Sequence, residues 1–229
     1  MVKALVYEKT RKNYFDAFTE YDQKIRKWVP CYDDMMDMIV FHTPREVKNI
    51  LDLGCGNGNL SALIIAKFPE ACIHLVDSSS CLLDECKYRF RDNNRSNFIH
   101  EDFRALSFPK ASLDLVVSSI AIHHLTDSEK EDLFRRIFEW LEPNGMLCYA
   151  DIFRSGNLEM DEFHYRLWRR DSSVKGASKI DWDTYIEHER NYDYPSILRE
   201  HIDLLGLIGF TNVYCPWKYS FWTQVIAYK

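Results

Sequence analysis

No stretch of this 229-residue chain approaches the roughly 18 consecutive apolar residues of a membrane helix, so a membrane-embedded protein is not expected. An excess of basic charge is lacking too. Lysine and arginine number 29 against 35 aspartates and glutamates, a formal charge of −6. Proteins that hold nucleic acid through its phosphates need the opposite balance, so nucleic acid is not expected among the partners. There is no CxxC pair; the seven cysteines are an odd number, several of them in apolar strand-like runs where free buried thiols sit. Cys81 and Cys86 have no further ligands at metal-site spacing, which speaks against structural zinc. Charges interrupt Met1–Thr10 too early for a signal-peptide core, and repeats and low-complexity tracts are absent. These absences leave a cytoplasmic globular protein, monomer or homodimer, of one domain or one and a half at about 150 residues per domain. Its core can form without disulfides or metals.

Strand and helix patterns alternate through the middle of the chain. An apolar run at 47–53 enters the cluster Gly54, Gly56, Gly58, and a helical pattern at 59–68 stops at Pro69. Further strands are expected at 72–76, 97–100, 113–119 and 146–152, with helices between them. Ser78 to Ser80 offer a cap for one helix, and Thr126 with Glu129 a capping box for another, running to Leu141 and ended by Glu142-Pro143-Asn144-Gly145. Such alternation implies a parallel sheet covered on both faces. A helix over 196–207 and two closing strands, 211–216 and 220–228, complete the pattern as an antiparallel hairpin. Outside the alternation lie an aromatic-rich N-terminus and a polar, charged insertion at 154–192 that carries Trp168 and Trp182.

The sharpest local feature is Leu51-Asp52-Leu53-Gly54-Cys55-Gly56-Asn57-Gly58-Asn59. A strand running through G-x-G-x-G into a helix lets a ligand press against bare backbone beside free helix N–H groups. Asp77, ending the next strand, follows Gly54 by 23 positions, the spacing at which a carboxylate accepts hydrogen bonds from ribose hydroxyls. A dinucleotide site wants a third glycine where this chain has Asn59. Asp52, just before the glycines, would repel a pyrophosphate but not a cationic amino-acid end. Together these points favour S-adenosyl-L-methionine as cofactor, leaving S-adenosyl-L-homocysteine as product; a nicotinamide oxidoreductase is the weaker choice.

On these residues the chain resembles the class I S-adenosylmethionine-dependent methyltransferases of the small-molecule type, strongly over about 46–152. The resemblance implies an α/β, Rossmann-like seven-stranded sheet with an antiparallel last strand. It places Gly54, Gly56 and Gly58 in the cofactor loop with Asp52 near the methionine amino group, and Asp77, with Ser78 beside it, at the ribose. Asp102 and Phe103 would contact the adenine, and Ser118 and Ser119 lie beside the methionine portion. The expected organisation is an N-terminal helical lid over 1–45 and a cofactor-binding domain over 46–229, with a cap insertion at about 154–194.

The stretch Tyr21-Asp22-x3-Arg26-x2-Val29-Pro30-x-Tyr32 is similar to the lid of family members that carboxymethylate the tRNA wobble uridine, with Cys31 where a glycine is usual. It implies that Arg26 and Tyr32 reach the cofactor. Tyr14, Tyr21 and Trp28 of the lid and Trp168 of the cap are expected to face a small-molecule methyl acceptor. His123 and His124 follow the fourth strand at the ligand-facing end of the sheet, where a histidine suits proton transfer from an acceptor that arrives protonated. His123 is the first choice. No metal is expected, for want of a spaced third ligand. Alternatives are a tRNA-modifying or carboxylated-cofactor-using member of the same family, or a non-catalytic cofactor-binding module.

Overall fold

A computed structural model describes residues 20–229. The chain runs α1 (Glu20–Trp28), α2 (Tyr32–His42), β1 (Asn49–Leu53), α3 (Asn59–Lys67), β2 (Cys72–Asp77), α4 (Ser80–Arg89), β3 (Ser96–His100) and β4 (Leu113–Ser119). A 3-10 turn (Ile122–His124) leads to α5 (Asp127–Trp140), β5 (Leu141–Ile152), α6 (Leu158–Val174), α7 (Lys179–Tyr192), α8 (Leu198–Ile208), β6 (Thr211–Tyr214), β7 (Lys218–Tyr219) and β8 (Trp222–Tyr228). The α5 capping box forms as its sequence predicts, and Ser79 caps α4. No helix among the described residues is long and apolar enough to cross a membrane.

Central strands have few polar positions because both faces of the sheet are covered. Side chains alternate across it with period two. Ile50, Leu115, Val117, Met146 and Cys148 enter one core, with Leu60 and Leu63 of α3 and Met35 and Ile39 of α2. Leu51, Leu53, Val116, Leu147 and Tyr149 enter the other, with Leu133, Phe134 and Ile137 of α5. The strand order is β3-β2-β1-β4-β5-β8-β6, with β7 paired to β8 at the side. β8 runs antiparallel to both β5 and β6, and the pairs from β3 through β5 are parallel.

Two details differ from the sequence pattern. The strand expected at 146–152 is the regular part of a longer β5. Leu141 already pairs with Leu113, and the register shifts before Met146 meets Leu115; Asn144, at φ +68°, lies in this irregular stretch. The closing hairpin contains an extra short strand, since β7 pairs with Trp222 and Thr223.

The insertion is not a polar appendage. α6 and α7 pack on α1, and Trp168 of α6 is 2% exposed. Its ring lies 5.1–5.5 Å from those of Tyr185, Trp182 and Trp222, and its indole N–H donates to the Trp28 carbonyl. Trp168→Ala is therefore expected to destabilise the protein by about 3–5 kcal/mol through the cavity it leaves. Denaturant unfolding checks this; a loss below about 1 kcal/mol would show that the indole is not part of the core.

Candidate active site

Where strand order reverses between β1 and β4, their carboxyl ends leave a crevice. A cavity of about 290 Å³ occupies it. Its floor is the glycine loop. Gly54 has φ +71°, and a Cβ there would stand 2.3 Å from that of Ala121, so no side chain fits. Gly58 serves the protein interior instead: at φ +87° it caps α3, and a Cβ would strike Phe90 and Cys86. It does not line the cavity, whereas Gly54 and Gly56 do.

Asp77 joins this loop to the next crossover. Its Oδ2 accepts from the Gly56 N–H and its Oδ1 from the Ser79 N–H, both at 2.8 Å. Asp77, Ser78, Asp102, Phe103 and Ser119 all line the cavity. Asp102 accepts from the Arg104 backbone N–H at 2.8 Å and pairs with its guanidinium, which also binds Glu129. Ser118 faces away; its buried hydroxyl donates to the Leu53 carbonyl at 2.6 Å and ties β4 to β1. Ile120, a β-branched residue at φ +52°, turns the chain at the cavity edge. That conformation costs roughly 1–3 kcal/mol and fits a site where the chain must bend sharply.

Asp52 lies behind the loop, fully buried. Ser61 Oγ donates to its Oδ2 at 2.5 Å, while Oδ1 has no hydrogen bond. Burial, opposed by the Ser61 bond and reinforced by the Asp77 charge, pushes its carboxyl up to about 7.

A buried aspartate absent from the sequence-based assignment connects the loop to α1. Asp22 accepts from Asn57 Nδ2 at 3.2 Å and from Asn59 Nδ2. Asn59 also donates to the Tyr32 hydroxyl at 3.0 Å and accepts from Arg89 at 2.8 Å. Asn59, where a dinucleotide loop would have glycine, was the visible clue; its partner lies 37 residues earlier. Tyr21 and Tyr32 line the cavity. Burial, with the Asp22 and Asp77 charges adding to it, pushes the Tyr21 phenol up to about 12, so it stays a hydrogen-bond donor near neutral pH. Arg26 is held otherwise than expected: its guanidinium binds Asp33 at 2.9 Å and the Asp22 carbonyl at 3.0 Å, and it lies over the Tyr32 ring. Trp28 packs against Tyr185, and neither it nor Trp168 lines the cavity. Tyr14 lies outside the described residues.

The two histidines part ways. His123 is buried, its Nδ1 2.6 Å from Asp151 Oδ1, while its backbone N–H donates to Asp151 Oδ2 at 3.0 Å. His124 is half-exposed and lines the cavity. Burial lowers the His123 pKa, but the Asp151 and Asp193 carboxylates outweigh it and hold the imidazole above its ordinary range.

Residues 50–145 match the family model for a methyltransferase domain. The chain is 24% identical over 218 residues to a carboxy-S-adenosyl-L-methionine synthase of Helicobacter pylori (strain Shi470), covering 91% of this chain and 90% of that protein. It is 27% identical over 183 residues to a phosphoethanolamine N-methyltransferase of Plasmodium falciparum (isolate 3D7), covering 79% of this chain and 60% of the relative. Among solved structures, an S-adenosylmethionine-dependent methyltransferase of Mesorhizobium loti has the same fold. It superposes with a TM-score of 0.61 at 19% identity, covering 84% of this chain and 96% of that one.

The Asp52 environment gives a pH signature in the ligand-free protein. A carboxyl raised from 3.8 to about 7 on folding makes the folded state bind more protons, so stability falls as pH rises through that window, by up to about 4 kcal/mol. Asp52→Asn removes this titration. Its thermal stability relative to the wild type is expected to improve from about pH 4 to about pH 7 and to level off above that. A pH-independent difference would place the titration elsewhere.

Proposed function

We propose that the chain is a class I S-adenosylmethionine-dependent methyltransferase and that it methylates a small molecule held between Tyr21, Tyr32 and His124. The observation that supports this reading is one cavity lined by Gly54, Gly56, Asp77, Asp102 and Phe103 together with those three side chains. When bound, the cofactor supplies a methyl group on a sulfonium and leaves as S-adenosyl-L-homocysteine.

The residues present fit such a ligand. Asp77 and Asp102 line the cavity, Asp52 lies behind its floor with an unsatisfied oxygen, and the glycine backbone leaves room for close approach. This surround suits a cation carrying hydroxyl donors and would repel a pyrophosphate. In this assignment Asp77 with Ser78 holds the ribose, Asp102 and Phe103 the adenine, Gly54, Gly56 and Ser119 the methionine portion, and Asp52 balances the ammonium. Gly58 and Ser118 act through the loop and strand they shape. Tyr21 and Tyr32 offer aromatic faces to a sulfonium, a contact that favours cations and excludes water. His124 is the histidine placed to touch the acceptor. Alignment of nucleophile and methyl carbon supplies much of the acceleration in such a displacement.

A small acceptor agrees with the cavity's size, with the acidic chain and with the activities named for the two curated relatives. A carboxylated cofactor, suggested by the Helicobacter pylori relative, would want a cation beside the transferred group. Arg104 is the only lysine or arginine among the described residues lining the cavity, and Asp102 and Glu129 already hold it. Simple methyl transfer is therefore the better reading.

Calorimetry should show S-adenosyl-L-methionine and S-adenosyl-L-homocysteine binding and NAD not binding. Asp77→Ala should weaken the cofactor by roughly 1.5–3 kcal/mol, the worth of charge-assisted hydrogen bonds; unchanged affinity would remove Asp77 from the ribose. Mass-spectrometric screening of small amines, alcohols and acids should yield a methylated product. A salt-sensitive complex with tRNA, with no small-molecule turnover, would overturn the acceptor class.

Asp52 adds a pH test. An ammonium favours its ionised form, so cofactor affinity should rise from about pH 6 to about pH 7.5, below the range where a free α-amino group deprotonates. In Asp52→Asn this rise should vanish. A rise that persists would mean the ammonium is balanced by another group.

A further inference from the structure

Beside the cavity, three imidazoles surround one carboxylate. Asp193 follows the last turn of α7, and its side chain is 1% exposed. Its Oδ1 lies 3.1 Å from His124 Nδ1, 3.6 Å from His123 Nε2 and 3.6 Å from His188 Nε2. None of these approaches has hydrogen-bond geometry, and the oxygen is buried without a partner. A buried carboxylate oxygen left in this state costs free energy, and what would satisfy it is a cation at the point where the nitrogens converge.

We propose that His123, His124 and Asp193, with His188 as an outer fourth donor, form a binding site for one divalent transition-metal ion of the zinc class. Tetrahedral bonds of about 2.0–2.1 Å set donors roughly 3.3 Å apart, close to the observed separations. The donor atoms of His123, His124 and Asp193 all lie within 4.8 Å of one another. Three nitrogens and one oxygen suit zinc, cobalt, nickel or ferrous iron and disfavour magnesium and calcium, which prefer oxygen.

The surroundings of His123 match what a metal-bound histidine needs. Its Nδ1 is 2.6 Å from the Asp151 carboxylate, which fixes the proton on that nitrogen and turns Nε2 toward Asp193. Carboxylate–histidine pairs of this kind orient metal ligands and raise their basicity. His123 and His124 present neighbouring rings, centroids 4.1 Å apart, from one 3-10 turn. His188 and Asp193 arrive from the other side, on the last turn of α7 and just beyond it. His124 alone of the four also lines the cofactor cavity, so the ion would stand at the cavity wall. The site stands on this geometry and does not depend on the identity of the acceptor.

Cobalt(II) tests the site in the full chain, stripped with chelator and free of cofactor. Titration is expected to give visible d–d bands saturating at one equivalent, bleached by zinc. The thiolate charge-transfer absorption that cysteine ligation would cause should be missing, since no cysteine belongs to the cluster. His124→Ala and Asp193→Asn should each weaken cobalt at least tenfold, and Asp151→Asn about tenfold through loss of ligand orientation. His188→Ala changes an exposed side chain and should weaken cobalt severalfold with the fold intact by circular dichroism. This keeps the test valid if Asp193→Asn misfolds. The proposal is overturned by wild-type protein that takes up no cobalt, by thiolate-type spectra, or by unaltered affinity in both His124→Ala and His188→Ala. None of these results would bear on whether S-adenosyl-L-methionine binds.

Discussion

β1 is the strand on which the rest of the molecule depends. It pairs in parallel with β2 on one side and β4 on the other, and the helices leaving β1 and β4 pass to opposite faces. Leu60 and Leu63 of α3 join one core; Leu133 and Phe134 of α5 join the other. Helices that diverge in this way cannot cover the strand ends between them. The crevice follows from the strand order alone. The glycine loop is the consequence at residue level: Gly54 must pass Ala121, the residue leaving β4, at a distance no side chain would tolerate.

The crevice is also where the protein concentrates buried charge. Asp22, Asp52 and Asp77 surround the loop from α1, β1 and β2; Asp22 accepts from amide side chains, Asp52 from a serine hydroxyl and Asp77 from backbone amides. A buried carboxylate without a countercharge either takes up a proton or waits for a cation. Burial moves Asp52 toward the first course, pushing its carboxyl up to about 7. A cationic ligand would permit the second. The same logic, in a cluster of different composition, governs Asp193 among its histidines. Both sites are prepared for positive charge by burial that folding has already imposed.

How much of this was legible in the sequence depends on how local the determining interaction is. The alternation of strand and helix, the α5 capping box and the glycine loop with Asp77 are set within a turn or a single crossover, and the structure has them where the spacing put them. The Asp22 link to Asn57 and Asn59 spans 35 and 37 residues and exists only once α1 has docked; Asn59 in place of glycine marks one end of it, and local spacing does not give the other. Arg26, expected to reach the cofactor, is held by Asp33 on the following helix and by the Asp22 carbonyl. Trp168, expected to face the acceptor, is instead turned into the core, since a helix buries one stripe whatever lies on its other faces. His124, not the first-choice His123, lines the cavity for a geometric reason. Successive side chains on a 3-10 turn point about 120° apart, so only one of the pair can face the cavity, and a dipeptide does not say which. The third ligand that spacing could not supply, Asp193, comes from 69 residues beyond His124.

The cavity thus has two halves with different origins. The half around the glycine loop is a product of the sheet and lies within 50–145, the span of the matching domain. Its other half is made of α1, α2 and the histidine turn, and α6 and α7 hold that half in place. α6 and α7 bury Trp168 against the Trp28 carbonyl, while Asp193 and His188 from the end of α7 confront the histidine turn. An insertion that only covered the sheet could have been apolar throughout on its inner side. This one brings a buried carboxylate and an imidazole to the sheet's edge, and Tyr194 then donates its backbone N–H to the His123 carbonyl at 2.7 Å, fixing where the segment ends. In the proposed reading, the cofactor meets mainly the sheet and its glycine loop, and the acceptor meets side chains of α1, α2 and the histidine turn.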